Sequence, residues 1–328
     1  MRTIAPRTPF TRTLFAWTLF ALLLAGAAQA TPAAQAATGK YTVLLDWFLN
    51  PDHAPLVVAL EKGFFTEEGL DVELVEPADP NDPPKLVAAG QADLAVSYQP
   101  MLHIQVAAGL PLTRIGTLIA TPLNALLTLA DGPVKTIENL KGKRVGYSVG
   151  GFEEALLKTM LERHGLSLKD ITLVNVNFAL SQSLLSHQVD AVIGAYRNFD
   201  SHQLEQAGAK GRFFYVEEEG VPPFDELILV ARSDVPPDPR QAAFLRALEK
   251  GVQFLVNHPE ESWELFVKYK PDLDDKLNRE IWDDTLRRFA LRPAASDAGR
   301  YRRFAKFLQD QGVVGALPPV ESYLREAD

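Results

Sequence analysis

Short apolar strand-type runs alternate with helical segments through most of this chain, and that alternation leaves few folds open. Residues 41–45, 70–75 and 92–97 read as strands, and 56–62, 83–89 and 100–108 as helices. Gly63, Gly90 and Gly109 stand where these helices should stop, since a residue without Cβ tolerates the left-handed conformation that closes a helix. Residues 114–120 and 125–129 read as further strands, and Asp131-Gly132-Pro133 breaks the pattern. It then resumes, with strands at 144–148, 171–175 and 191–195 and helices at 152–164 and 180–187. After strand-like runs at 213–216 and 226–231, four segments (241–257, 260–269, 278–289, 298–311) carry apolar residues at helical spacing.

The predicted class is therefore α/β with a helical C-terminal segment. A chain of 328 residues is long enough for two lobes. The breaks near 130 and 226 divide it into lobe one (residues 40–130 and 227–328) and lobe two (131–226). A chain that leaves one lobe and returns makes a hinge, with a ligand cleft between the lobes.

Residues 1–30 have the form of a secretory signal: Arg2, Arg7 and Arg12, an apolar run from 14 to 24, then Ala28-Gln29-Ala30. Ala34-Gln35-Ala36 offers a second cleavage site. The apolar run falls short of the ~20 residues of a spanning helix. A soluble periplasmic protein is expected. Net charge is −9, and the leader's charges are all basic, so the body is more acidic still. Nucleic acid is not the expected partner. The chain has no cysteine, which excludes disulfides, thiolate metal sites and cysteine nucleophiles. Neither H-E-x-x-H nor G-x-S-x-G occurs. No catalytic residue, metal site or cofactor is expected, and the chain is read as a monomeric binding protein rather than an enzyme.

Open α/β sheets bind ligands at the carboxyl ends of strands, and several candidates lie there. Trp47 follows the first strand, where an indole suits a flat ring. Asn50 and His53 lie in a loop stiffened by Pro51 and Pro55, as hydrogen-bonding groups for ring nitrogens or as turn formers. Tyr98 follows the third strand, as a second aromatic face. Gly150 and Gly151 precede a helix and would let backbone approach a ligand. Glu153 and Glu154 come next, and either suits an exocyclic amine or the helix dipole; Glu154 is preferred. Tyr196 ends another strand, and Glu226 lies at the second crossing. Arg197 would serve an anionic group or an inter-lobe ion pair.

The segments Leu45–Leu56 (containing Asp46-Trp47, Asn50 and His53), Lys141–Ala155 and Gln188–Gly194 resemble the thiamine-pyrimidine family of solute-binding proteins. Glu61-Lys62-Gly63-Phe64-Phe65 onward is shared with sulfonate and nitrate receptors. The resemblance implies a two-lobed type II periplasmic-binding-protein fold that delivers its ligand to an ABC permease with a cytoplasmic ATPase. The implied ligand is a hydroxymethyl- or formylaminomethyl-aminopyrimidine. Riboflavin, a sulfonate or another heteroaromatic would suit the same fold. The family's eukaryotic branch consumes pyridoxal phosphate and a histidine whose motif His53 matches. The leader and the absence of that branch's cysteine-rich motif favour the receptor over the synthase.

Overall fold

A computed structural model describes residues 39–326; the leader and both cleavage motifs lie outside the described residues. The strands form two five-stranded sheets. The first contains β1 (Tyr41–Leu44), β2 (Val72–Val75), β3 (Leu94–Ser97), β4 (Leu112–Ile119) and β10 (Leu227–Arg232) in the order β2-β1-β3-β10-β4. The second contains β5 (Asn124–Leu129), β6 (Arg144–Tyr147), β7 (Thr172–Asn175), β8 (Ala191–Tyr196) and β9 (Gly211–Tyr215) in the order β7-β6-β8-β5-β9.

The two sheets share one plan. β1 is parallel to β2 and β3, and β6 is parallel to β7 and β8. Into each parallel set enters one antiparallel strand delivered from the other half: β10 between β3 and β4, and β5 between β8 and β9. Both are fully covered along almost their whole length, which accounts for their largely apolar sequences.

This topology corrects the expected boundary at residue 130. β5 pairs only in the second sheet, so the chain crosses between β4 and β5, before residue 124. It returns between β9 and β10, close to the expected second boundary. Only Ala120-Thr121-Pro122-Leu123 separates β4 from β5, and both strands are buried throughout, so the first crossing reads like an ordinary turn.

The C-terminal helices pack mainly on the first lobe. Arg240–Asn257 lies against Ala54–Glu61 and Phe64–Glu67. Gly251 permits this, since a Cβ there would fall 2.7 Å from the Pro55 carbonyl oxygen. Lys276–Thr285 is different: it contacts both the turn Pro51–His53 and the lobe-two helix Asp200–Gln206.

Arg114 anchors the returning tail. It is wholly buried in β4, and its guanidinium donates to the carbonyls of Pro293 (3.0 Å), Ala294 (2.9 Å) and Ala295 and to Thr117 Oγ1 (2.8 Å). A fork of fixed donors suits this cluster of acceptors. Arg114→Met would strand those carbonyls in the interior. It should lower unfolding stability by about 3 kcal/mol, measured as a reduced urea midpoint with an unchanged slope.

Candidate ligand-binding site

A cavity of about 310 Å³ lies between the lobes, lined by the loop after β1, the ends of β3 and β8, residues 178–182 and helix Lys276–Thr285. That volume is at the lower end of the range for small-molecule sites.

The organising group is Asp46, which the sequence reading did not single out. It is buried and lines the cavity. Tyr98 donates its hydroxyl to Asp46 Oδ2 at 2.9 Å, and His53 Nε2 lies 2.9 Å from Oδ1. The Asn50 backbone N–H donates to His53 Nδ1 at 3.3 Å. An N–H is always a donor, so Nδ1 must accept, and the imidazole proton sits on Nε2 and points at Asp46.

Of the two roles open to His53 and Asn50, the bonds fit loop and turn formers rather than edge-reading ligand contacts. Both line the cavity, but His53 spends both ring nitrogens on the protein. Asn50 Oδ1 accepts from the Asp52 N–H at 2.8 Å, and its Nδ2 donates to the Phe48 carbonyl at 2.9 Å. These are the bonds of a residue capping a turn. His53 thus holds Asp46 in place, while Asn50 fixes the turn that carries His53.

Aromatic rings enclose the cavity. Trp47 meets the lobe-two ring of Phe178 edge-on, at 4.6 Å and 80° between planes, and Phe48 lies 4.4 Å from the same ring. Phe48 also lines the cavity yet is 47% exposed, so this trio stands at the rim. Tyr98 stacks on Phe152 from the other lobe, at 4.9 Å and 28°. One face of Tyr98 is thus covered by a protein ring. Tyr196 also lines the cavity, with its hydroxyl buried and without a partner.

Of the two adjacent glutamates, Glu153 faces the cavity and Glu154 does not. Glu154 reaches back to the Gly151 N–H at 3.1 Å, the reciprocal bond of a helix-capping residue at the third position. Glu153 accepts from the Ser148 N–H at 2.8 Å. Its carboxyl lies against Gly194, where φ is +99° and a Cβ would fall 2.4 Å from Oε1, so only glycine leaves the acid this room. Gly150 and Gly151 do not line the cavity. Gly150 instead donates its N–H to Asn81 Oδ1 of lobe one at 2.9 Å.

Glu226 is wholly buried but lies outside the lining. Its Oε2 accepts from the N–H groups of Leu123 (2.6 Å) and Asn124 (3.0 Å). A side chain on the returning crossing thus staples the outgoing one. Arg197 makes neither expected contact: it pairs with Glu217 of its own lobe at 2.6 Å and stacks over Tyr215.

The site is acidic. Asp46, Asp52, Glu153 and Asp200 line it, and no lysine or arginine does so among the described residues. Burial pushes Glu153 up to about 8, against the opposing pull of the Ser148 and Val149 amides. Burial likewise raises Glu226 to about 7, and Asp52 and Asp200 each to about 6. Asp200 is held by the Ser181 hydroxyl and the Tyr196 N–H. No group of three potential metal ligands occurs among the described residues. Sequence position could have found Asp46, at the end of β1; nothing local marked Phe178, Asp200 or the helix carrying Leu277 and Asn278.

Two sheets joined by a double crossing, with a cavity at the strand ends between them, define the two-lobed type II periplasmic-binding-protein fold. The alkanesulfonate-binding protein SsuA of Xanthomonas axonopodis pv. citri has the same fold, with a TM-score of 0.68 at 16% identity over 88% of this chain and 99% of that one. The chain belongs to the NMT1/THI5-like family, matching it over residues 50–262. It is 51% identical to a Haemophilus influenzae protein assigned by name to thiamine biosynthesis, over 88% of this chain and 92% of that one. It is 34% identical to the formylaminopyrimidine-binding protein of Halalkalibacterium halodurans, over 81% of each chain. It is also 33% identical to the 4-amino-5-hydroxymethyl-2-methylpyrimidine phosphate synthase of Uromyces fabae, over 75% of each chain.

The buried acids make stability depend on pH. Glu153 titrates at 4.5 when solvated and about 8 when folded, so the folded chain holds the extra proton between those values. Its contribution is full below about 4.5 and is lost as pH rises through about 8. Glu153→Gln, which keeps the neutral shape, should match the parent near pH 5 and exceed it by roughly 2–4 kcal/mol near pH 8. Urea unfolding at both pH values measures the difference.

Proposed function

We propose that this chain is the periplasmic receptor of an ABC importer for a thiamine pyrimidine precursor, a hydroxymethyl- or formylaminomethyl-aminopyrimidine. The observation that carries the reading is the cavity: aromatic rings at its rim and walls, carboxyl groups inside, and no cation among the described lining residues. An aminopyrimidine is a flat ring that offers N–H donors, and carboxyl groups accept them. The relationship to the formylaminopyrimidine-binding protein supports the same ligand class. The receptor acts as a monomer, closing around the ligand and presenting the closed form to a membrane permease with its cytoplasmic ATPase.

Two other ligands suit this site less well. A sulfonate is a permanent anion, and each carboxylate about 4 Å away would repel it by about 4 kcal/mol at an effective dielectric near 20. A synthase would have to bind pyridoxal phosphate. Among the described residues the lining offers no lysine for its aldehyde and no arginine or lysine for its phosphate, and His53 is 1% exposed with both nitrogens engaged. These features weigh for a receptor rather than an enzyme.

Calorimetric titration of the leaderless, ligand-stripped chain tests the assignment. The titrants are hydroxymethyl-aminopyrimidine, its aminomethyl and formylaminomethyl relatives, thiamine, riboflavin and taurine. Submicromolar binding of one pyrimidine is expected, weakened at least about tenfold by Trp47→Ala. Binding of riboflavin or taurine with silence from every pyrimidine would overturn the ligand. Loss of mass at His53 on incubation with pyridoxal phosphate would overturn the non-enzymatic reading.

A further inference from the structure

Asp52, Asn198 and Thr285 come from three distant parts of the chain and meet in a closed, buried triangle. Asp52 belongs to the turn after β1, Asn198 to lobe two just beyond β8, and Thr285 ends the helix Lys276–Thr285. Their exposures are 2%, 0% and 1%. Asn198 Nδ2 donates to Asp52 Oδ1 and to Thr285 Oγ1, both at 2.7 Å, and the Thr285 hydroxyl donates to the same Asp52 oxygen at 3.2 Å. Both amide protons and the hydroxyl proton are thereby used. The arrangement needs lobe two against lobe one, because Asn198 sits on the far side of the hinge from its two partners.

The triangle is joined to the ligand cavity at two corners. Asp52 itself lines the cavity, and Leu277 and Asn278 line it from the same helix that ends in Thr285. His202 of lobe two approaches Asp284 of this helix at 3.8 Å, a second contact across the same seam. A buried carboxylate stripped of its donors is expensive, so swinging Asn198 away is favourable only if water reaches Asp52.

We propose that Asn198 is the latch of the closed receptor, a positioning residue that holds lobe two to Asp52 and to the helix Lys276–Thr285 and so sets how long the ligand stays bound. This rests on the receptor reading given above. The latch acts on dissociation, because the triangle is complete only after the lobes have met. The charged and titratable groups around Asp52 are Asp46 and His53 from its own loop and Tyr196 from the end of β8; His202 from helix Asp200–Gln206 and Asp284 with its partner Arg288 stand on the same seam.

Asn198→Asp separates a latch from a mere packing residue. It keeps the shape but sets a second carboxyl against Asp52, and two carboxyls at that distance cannot both ionise. Stopped-flow kinetics on the full leaderless chain with hydroxymethyl-aminopyrimidine reads the effect. Asn198→Ala should raise the dissociation rate about tenfold or more at pH 8 with association changed less than about threefold, and by less at pH 5.5, where Asp52 is largely protonated. Asn198→Asp should dissociate about 100-fold faster at pH 8 and recover at least about tenfold at pH 5.5, where one proton shared by the pair restores the contact. Thr285→Val, which loses one donor, should show a smaller rise. An unchanged dissociation rate in Asn198→Ala, or no recovery of Asn198→Asp in acid, overturns the latch.

The native chain has no cysteine, so spin labels at Gln91→Cys in lobe one and Lys169→Cys in lobe two give a readout of closure that needs no ligand. Asn198→Asp should lengthen the label separation at pH 8 and restore it at pH 5.5; identical separations at both overturn the proposal. If the parent chain binds no pyrimidine, the receptor assignment fails and these separations alone decide the latch.

Discussion

The Asp46 carboxylate, held between the Tyr98 hydroxyl and the His53 imidazole, is the contact on which the site depends. It joins the end of β1 to the end of β3 and fixes the loop between Asp46 and His53. That loop carries Trp47 and Phe48 to the rim and Asp52 to the seam with lobe two. Tyr98, positioned by the same bond, presents its ring to Phe152 of the opposite lobe. One buried acid therefore adds to the cavity's acidic character and orients the rings that lobe one brings to it. Two donors on a carboxylate offset much of the cost of burying it.

Glu226 does for the hinge what Asp46 does for the cleft. Its carboxyl accepts both N–H groups at the start of β5, tying the crossings at the point where the lobes pivot. Burial raises its proton affinity, and Glu153, inside the cavity, is raised further. Each interacts unfavourably with the other when charged. The acids at hinge and cavity are thus coupled, and a charge on Glu226 makes Glu153 hold its proton more tightly.

How much of this was legible depends on what each residue satisfies. The strand–helix alternation was plain because it follows from burial, which shapes composition directly. The first lobe boundary was misplaced because β4 and β5 are consecutive buried strands that look like hairpin partners but pair in different sheets. Trp47, Tyr98 and Tyr196 line the cavity and are legible in sequence because strand ends mark the cleft and rings are conspicuous. The short polar residues were harder. Asn50, His53, Glu154 and Glu226 have the chemistry of ligand contacts, yet their bonds go to backbone or to Asp46. A polar side chain satisfying the protein and one reserved for a ligand have the same sequence. Glu154 is the exception, since its place three residues beyond Gly151 is the capping spacing.

The helical tail changes what closure means. A clamp of two lobes on one hinge has little to distinguish nearly shut from shut, because apolar contact grows smoothly as surfaces approach. Here the helix Lys276–Thr285 stands on lobe one but touches the lobe-two helix Asp200–Gln206, and it also forms a wall of the cavity through Leu277 and Asn278. It and Asp52 accept directional hydrogen bonds from Asn198 of lobe two, which weaken steeply once distance and angle are lost. Adding them to the aromatic rim gives the shut form a definite end point. The same three surfaces that surround the ligand also complete one another's hydrogen bonds, so ligand enclosure and lobe docking become one event.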